Sequence, residues 1–250
     1  MNPLGPMPLD ALGLQRDLRG IGDALERVRQ RLVREVGVPY TSQDGRQVAM
    51  EAMQLDVAAC TKWLQAMLAL RQMCHEKDAD RWEHEYRERL SIHANIPTGA
   101  MEDIMLDYLR NTLPVRVHFT IENLFSNLLG ALGVRPKGSG YYPLSSAILE
   151  GAGIGVPGPE KDTLTALANL RNSFHGNGIH RKGGSLSVVI DGQRFEFHEG
   201  KRVECASWRH VTAAIVANVR VVEAVLFSDR ASGLKKVVDA FAEHYDTGEA

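Results

Sequence analysis

The sequence predicts a mostly α-helical bundle that carries one β-hairpin, and three observations lead there. Apolar residues recur at spacings of three and four over several long stretches, the period of a helix with one buried face. Glycine and proline gather mainly between those stretches, where helices stop. Asp191-Gly192 is flanked by two short runs rich in β-branched and aromatic residues, which is the signal of a two-residue hairpin turn.

From Leu9 to Val36 the residues Leu14, Leu18, Ile21, Leu25, Val28, Leu32 and Val36 form a heptad-like seam, so a long amphipathic helix is expected. Gly37 and Pro39 stop it, and a turn at Asp44-Gly45 leads to a second long helix with Val48, Ala52, Leu55, Ala59, Ala66, Leu70 and Met73 as its apolar side. Two such helices joined by a short connection predict an antiparallel hairpin. The charged stretch from His75 to Arg89 reads as more helix. Pro97 and Gly99 mark a boundary between an N-terminal helical arm, residues 1–96, and a helical domain, residues 97–250. The first helices either stand apart as a coiled-coil-like arm or pack into the same bundle.

Helix resumes at Met101, with Pro114 expected to kink or divide it; beyond the proline, Val117, Ile121, Leu124, Leu128 and Leu132 make a core stripe. Loops at 135–140 and 151–159 enclose a short helix from Pro143 to Leu149, and a further helix runs from Pro159 to His175. The hairpin then occupies 185–198. Two helices close the chain, Ser207 to Phe227 with Val211, Ile215, Val219, Val222 and Leu226 inward, and Ser232 to Tyr245.

Composition narrows the function classes. A hydrophobic share of 44% with 24% charged residues fits an ordinary globular chain, and a formal charge of -2 excludes a polycation, so a nucleic-acid surface has to be a local patch. Cys60, Cys74 and Cys205 are odd in number and lack CxxC spacing, as expected of reduced thiols in a cytoplasmic protein. Residues 1–10 do not read as a signal peptide. The apolar segment Val211 to Phe227 is interrupted by Arg220 and Glu223, which argues against a membrane span. Cys74, His75, His84 and His93 lack the spacing of a structural metal site, and Gly151-Ala152-Gly153-Ile154-Gly155 has no preceding strand to make it a dinucleotide loop. No metal and no cofactor are expected.

The segment Leu170-Arg171-Asn172-Ser173-Phe174-His175-Gly176-Asn177-Gly178 carries the most chemistry. At about 100° per residue, Leu164, Leu167, Ala168, Leu170 and Phe174 share one arc, and Asp162, Thr165, Asn169 and Ser173 share the other. Arg171 and His175 fall inside the apolar arc, one turn apart on one face. A guanidinium there needs hydrogen-bonding partners or a bound anion.

This Arg-Asn-x-x-His string resembles the signature of the HEPN superfamily, a group of helical domains of which many are RNases in toxin and phage-defence systems. It is a shortened variant of the family's R-x4-6-H motif, with three residues between Arg171 and His175. The resemblance covers the helix from Pro159 to His175 and extends loosely over the helical context from Met101 to Tyr245. It implies a HEPN-like bundle and a metal-independent endoribonuclease in a prokaryotic defence or toxin system. Also implied are RNA as the substrate, a homodimer that completes each site, and a protein partner or antitoxin. In that chemistry a base removes the 2′-hydroxyl proton and a cation steadies charge on the phosphate. An imidazole titrates near neutral pH and a guanidinium fork matches phosphate oxygens. His175 would then be the acid-base group, Arg171 the phosphate binder, and Asn172 an orienting group.

A structural reading stands beside it. Basic residues in a last helical turn satisfy free carbonyls and complement the dipole, and Asn177 and Gly178 suit a helix exit. The chain is then a non-catalytic helical module that binds a nucleotide, RNA or protein partner. His180, Arg181 and Lys182, with Asn177, make a short polar and basic cluster that either contacts RNA phosphates or is a solvated loop. Asn218, inside an apolar stripe, needs partners and is placed to face Arg171. His118 and Glu122, four apart, read either as an acid-base pair or as flank charges.

Overall fold

The computed structural model describes residues 11–76, 84, 88, 98–156, 158–181 and 184–239. Its elements are α1 (Ala11–Arg31), a π-helical turn (Leu32–Val36), α2 (Gly45–Glu76), α3 (Thr98–Leu132), α4 (Tyr141–Gly151), α5 (Pro159–His175), β1 (Leu186–Ile190), β2 (Gln193–Phe197), α6 (Trp208–Leu226) and α7 (Asp229–Ser232). The fold is mostly helical with one two-stranded antiparallel hairpin. Among the described residues no helix is long and apolar enough to cross a membrane.

The seam of α1 is buried as spaced, through Leu14, Leu18, Ile21, Leu25 and Val28. Its last turn widens into the π-helix and ends where Gly37, at φ 74°, turns left-handed. α2 runs antiparallel to α1: Arg29 reaches Gln47 while Glu26, further back, meets Gln54. The buried stripe of α2 differs from the expected one, since Leu55 is 63% exposed and Ala59 and Ala66 are exposed. Met50, Met53, Val57, Cys60 and Leu64 face inward instead, because methionine and cysteine serve as well as branched aliphatics in a core.

α3 passes through Pro114 without dividing. The ring removes one backbone hydrogen bond, and Leu113 and Val117 on either side are locked in the core. Val117, Ile121, Leu124 and Leu128 are fully buried as the spacing requires. α1 packs on α2 and α6, and α5 touches α3, α4 and α6, so one continuous core runs from Leu14 to Val237. The first two helices therefore pack as part of the bundle. The boundary at 96–97, and the helix expected over 77–89 apart from its isolated helical positions 84 and 88, lie outside the described residues.

β1 and β2 pair in the register Leu186↔Phe197 to Ile190↔Gln193, turning through Asp191 (φ 48°) and Gly192 (φ 76°). Two positive φ values in succession define the turn type that Asp-Gly favours. The helix expected from Ser232 is absent up to residue 239. α7 ends at Ser232, and the chain beyond it is drawn onto Asp44 and Arg46, with Val237 N–H donating to the Asp44 carboxylate at 3.0 Å. That tertiary capture overrides local helix propensity.

Candidate functional site

α5 begins with Pro159 in the first turn, where its missing N–H costs nothing, followed by Glu160 and Asp162 at the positive end of the helix dipole. It ends at Gly176, which is required there: a Cβ would lie 2.6 Å from the Ile179 carbonyl oxygen. Asn177 (φ 56°) and Gly178 (φ 81°) then turn the chain away.

The expected polar arc of α5 is solvated only at its start, where Asp162 is exposed and Thr165 half-buried; neighbours close over its second half. Asn169 is 0% and Ser173 1% exposed. Ser173 Oγ donates to the Asn169 carbonyl at 2.7 Å, and Tyr142 OH of α4 donates to Asn169 Oδ1 at 2.6 Å. Conversely, Arg171 is half-buried and His175 exposed. Both line one open groove of about 430 Å³, together with Phe119, Asn172, Gly176 and Arg181.

The Arg171 guanidinium lies over the Phe119 ring, 4.5 Å from its centre, and donates through Nη1 to Asn172 Oδ1 at 2.9 Å. Its buried Nε has no hydrogen-bond partner. Among the described residues Arg171 forms no ion pair, and the His175 ring forms neither a hydrogen bond nor an ion pair. The other inward cations are engaged: Arg29 with Glu51, Arg31 with Glu35 and Glu223, and Arg46 with Asp44. Lys161 donates to the Tyr142 carbonyl, Ser145 and Ser146. Among the described residues no carboxylate lines the groove. Two guanidinium groups and an imidazole therefore line an open space with no acidic side chain among its described lining, which is an anion-binding arrangement.

The chain matches no protein-family model, no curated protein and no solved structure. The chemistry of the groove rests on its own geometry.

Behind the groove lies a buried polar cluster. His118 of α3 is 1% exposed, neither ring nitrogen has a hydrogen-bond partner, and the Tyr141 ring packs against it, tilted by 48°, with centroids 4.2 Å apart. Burial, with the Arg171 charge beside it, lowers its pKa to about 3. Glu122 Oε2 stands 3.7 Å from His118 Nδ1, beyond hydrogen-bonding distance, so of the two readings of this spacing neither fits His118: it is not hydrogen-bonded to Glu122 as an acid-base pair, and it is buried rather than a flank charge. The Tyr141 phenol is pushed up, first by burial and then by the Glu122 charge. His118 is thus neutral in the folded chain and accepts protons near 6.5 once unfolded. The unfolded state binds more protons between these values, so stability is full above about pH 6.5 and declines as pH falls toward 3. The slope contributed is up to about 1.4 kcal/mol per pH unit. Thermal melts from pH 7 to 4 should show it, and His118→Gln should flatten it.

Arg181 is exposed and lines the groove. Asn172 sits beside Arg171 and uses its oxygen to hold that side chain. Asn177 is exposed but serves the turn, its N–H bonded to the Phe174 carbonyl. His180 is not available to RNA: it is fully buried, packs at a tilt against Phe197 with ring centroids 5.4 Å apart and bonds through Nε2 to the Gly184 carbonyl at 2.7 Å. The hairpin's inner aromatic face claims it. Lys182 lies outside the described residues. Asn218 donates to the Thr163 and Ala214 carbonyls and does not meet Arg171. Among the described residues no cluster of His, Cys, Asp and Glu is arranged to hold a metal ion.

Phe119 and Tyr142 were not singled out in the sequence. Phe119 left one trace, a large aromatic off the buried stripe of α3. Tyr142 left none, yet it joins the groove helix to α4 through Asn169. Removing its hydroxyl in Tyr142→Phe leaves both polar ends of a buried amide unbonded, since Asn169 Nδ2 already lacks a partner. A loss of about 1–3 kcal/mol is expected in urea titrations.

Proposed function

We propose that this groove holds the phosphate backbone of RNA and that the chain is a HEPN-like, metal-independent endoribonuclease. One observation carries the reading: a half-buried guanidinium without an acidic partner opens onto the same groove as an imidazole whose ring is unengaged. In the proposed reaction His175 removes the 2′-hydroxyl proton and that oxygen attacks the adjacent phosphorus. The 5′ oxygen of the next nucleotide leaves with its electron pair and takes a proton, giving a 2′,3′-cyclic phosphate and a free 5′-hydroxyl. Arg171 and Arg181 offset the negative charge that builds on the phosphate oxygens. Among the described residues the groove of one chain has a single imidazole, so a homodimer that brings a second His175 to the leaving oxygen completes the acid-base pair. The Arg-Asn-x-x-His resemblance supports this arrangement and a prokaryotic defence or toxin setting, in the cytoplasm and under restraint by a protein partner or antitoxin.

A second reading is favoured by that same lone imidazole: a helical module that binds a nucleotide, RNA or protein through the groove without cutting. The two separate in one experiment. Purified chain incubated with RNA in EDTA should yield cyclic-phosphate ends. A folded chain that retains RNA and leaves it intact is the binding module.

A further inference from the structure

Phe119 is 47% exposed and forms part of the groove lining, on the helix opposite Arg171. A large aromatic left open to solvent beside two guanidinium groups adds nothing to the capture of a bare phosphate, which needs charge and N–H donors alone. It does suit a planar ring. The Arg171 guanidinium already lies over the Phe119 ring at 4.5 Å, so a planar cation and an aromatic ring border the groove together. A space of about 430 Å³ is also of the size that ligand pockets reach when they hold more than one chemical group.

We infer that Phe119 is a stacking platform for a nucleobase, and that the groove therefore takes an unpaired stretch of RNA, with a base on the exposed part of the Phe119 ring and its phosphate between Arg181 and His175. This rests on the phosphate reading above and adds to it a specificity-determining residue. Bases inside a duplex are stacked on one another and offer no free face, whereas unpaired bases stack readily on aromatic rings and guanidinium planes. The preference is for strandedness rather than for sequence, because every base has a π-face.

The test uses the full chain in EDTA with fluorescent oligomers read by anisotropy. They are a 2′-O-methyl oligouridylate, which cannot be cut, an abasic ribose-phosphate oligomer of equal length, and the oligouridylate annealed to its complement. The wild type should bind the single strand at least roughly fivefold tighter than the abasic oligomer, and tighter than the duplex. Phe119→Leu should lose more single-strand than abasic affinity, so that the preference between the two disappears, and Phe119→Trp should keep the preference. Phe119 is half-exposed, and a melting curve verifies that each variant is folded. Equal binding of strand, duplex and abasic oligomer, weakened by Arg171→Ala but not by Phe119→Leu, overturns the platform and leaves the phosphate reading standing. Failure of the wild type to bind any of the three overturns both.

Discussion

Arg46→Met should lower the stability of the chain by about 3–5 kcal/mol, the range for breaking a buried ion pair from one side. Arg46 is fully buried at the start of α2 and clasps Asp44 through Nε and Nη2, both at 2.8 Å. It also donates to the Ala231 and Leu234 carbonyls, which tie the segment after α7 to the α1–α2 connection. Burial works to raise the Asp44 pKa, but the hydrogen bonds from Arg46 and from Val237 N–H hold its carboxyl below the usual range. Methionine fills similar space yet leaves that carboxylate buried with two backbone donors and no cation. The Leu234 and Ala231 carbonyls each lose one donor as well, although Ala231 keeps the Leu234 N–H. Urea titration reads the loss as a fall in midpoint at constant slope. Asp44→Leu combined with Arg46→Met should cost less than Arg46→Met alone, because no lone charge is left inside. An unchanged midpoint for Arg46→Met would mean that the clasp is not formed.

That clasp also marks where the sequence stops being legible. α1 and α6 could be read directly, because Leu25 or Val219 declares a buried face by position and residue type together. The hairpin was equally plain, since Asp191 and Gly192 adopt the positive φ that the dipeptide favours. The stretch 233–239 was not. Its conformation is set by Asp44, 193 residues away along the chain from Val237, and no local pattern carries that information. α2 was read as a helix but with the wrong side inward, because Met50, Met53 and Cys60 are inconspicuous beside leucine. Within the site the i, i+4 relation put Arg171 and His175 on one groove, as a helix must. The groove's opposite wall, Phe119, lies on α3 and no spacing rule reaches it. His180 was misread for a related reason. A His-Arg-Lys run looks solvated, and only the folded hairpin shows Phe197 waiting under the imidazole.

If the groove cuts RNA, His175→Ala should reduce the cleavage rate in EDTA by about 10²–10⁴-fold, the usual worth of a positioned proton-transfer group. Arg171→Ala should reduce it by about 10²–10³-fold, as removal of one donor from a charge-stabilising site does. The two losses differ in what accompanies them. The exposed His175 ring bonds to nothing among the described residues, so its removal should leave the melting temperature in place. Arg171→Ala uncovers the Phe119 ring and frees the Asn172 oxygen, which costs under about 1 kcal/mol for partly exposed contacts. Arg171→Lys decides what the guanidinium does. Lysine keeps the charge but not the planar fork, so a variant that binds RNA normally while cutting slowly assigns Arg171 to phosphate geometry in the reaction. If both alanine variants cut at the wild-type rate, the groove is not the centre of cleavage. When two groups act as one unit their losses are not additive, so the double variant should be scarcely slower than His175→Ala alone. A strictly multiplicative double loss would instead place the imidazole and the guanidinium in separate steps, with Arg171 serving RNA binding and His175 the proton.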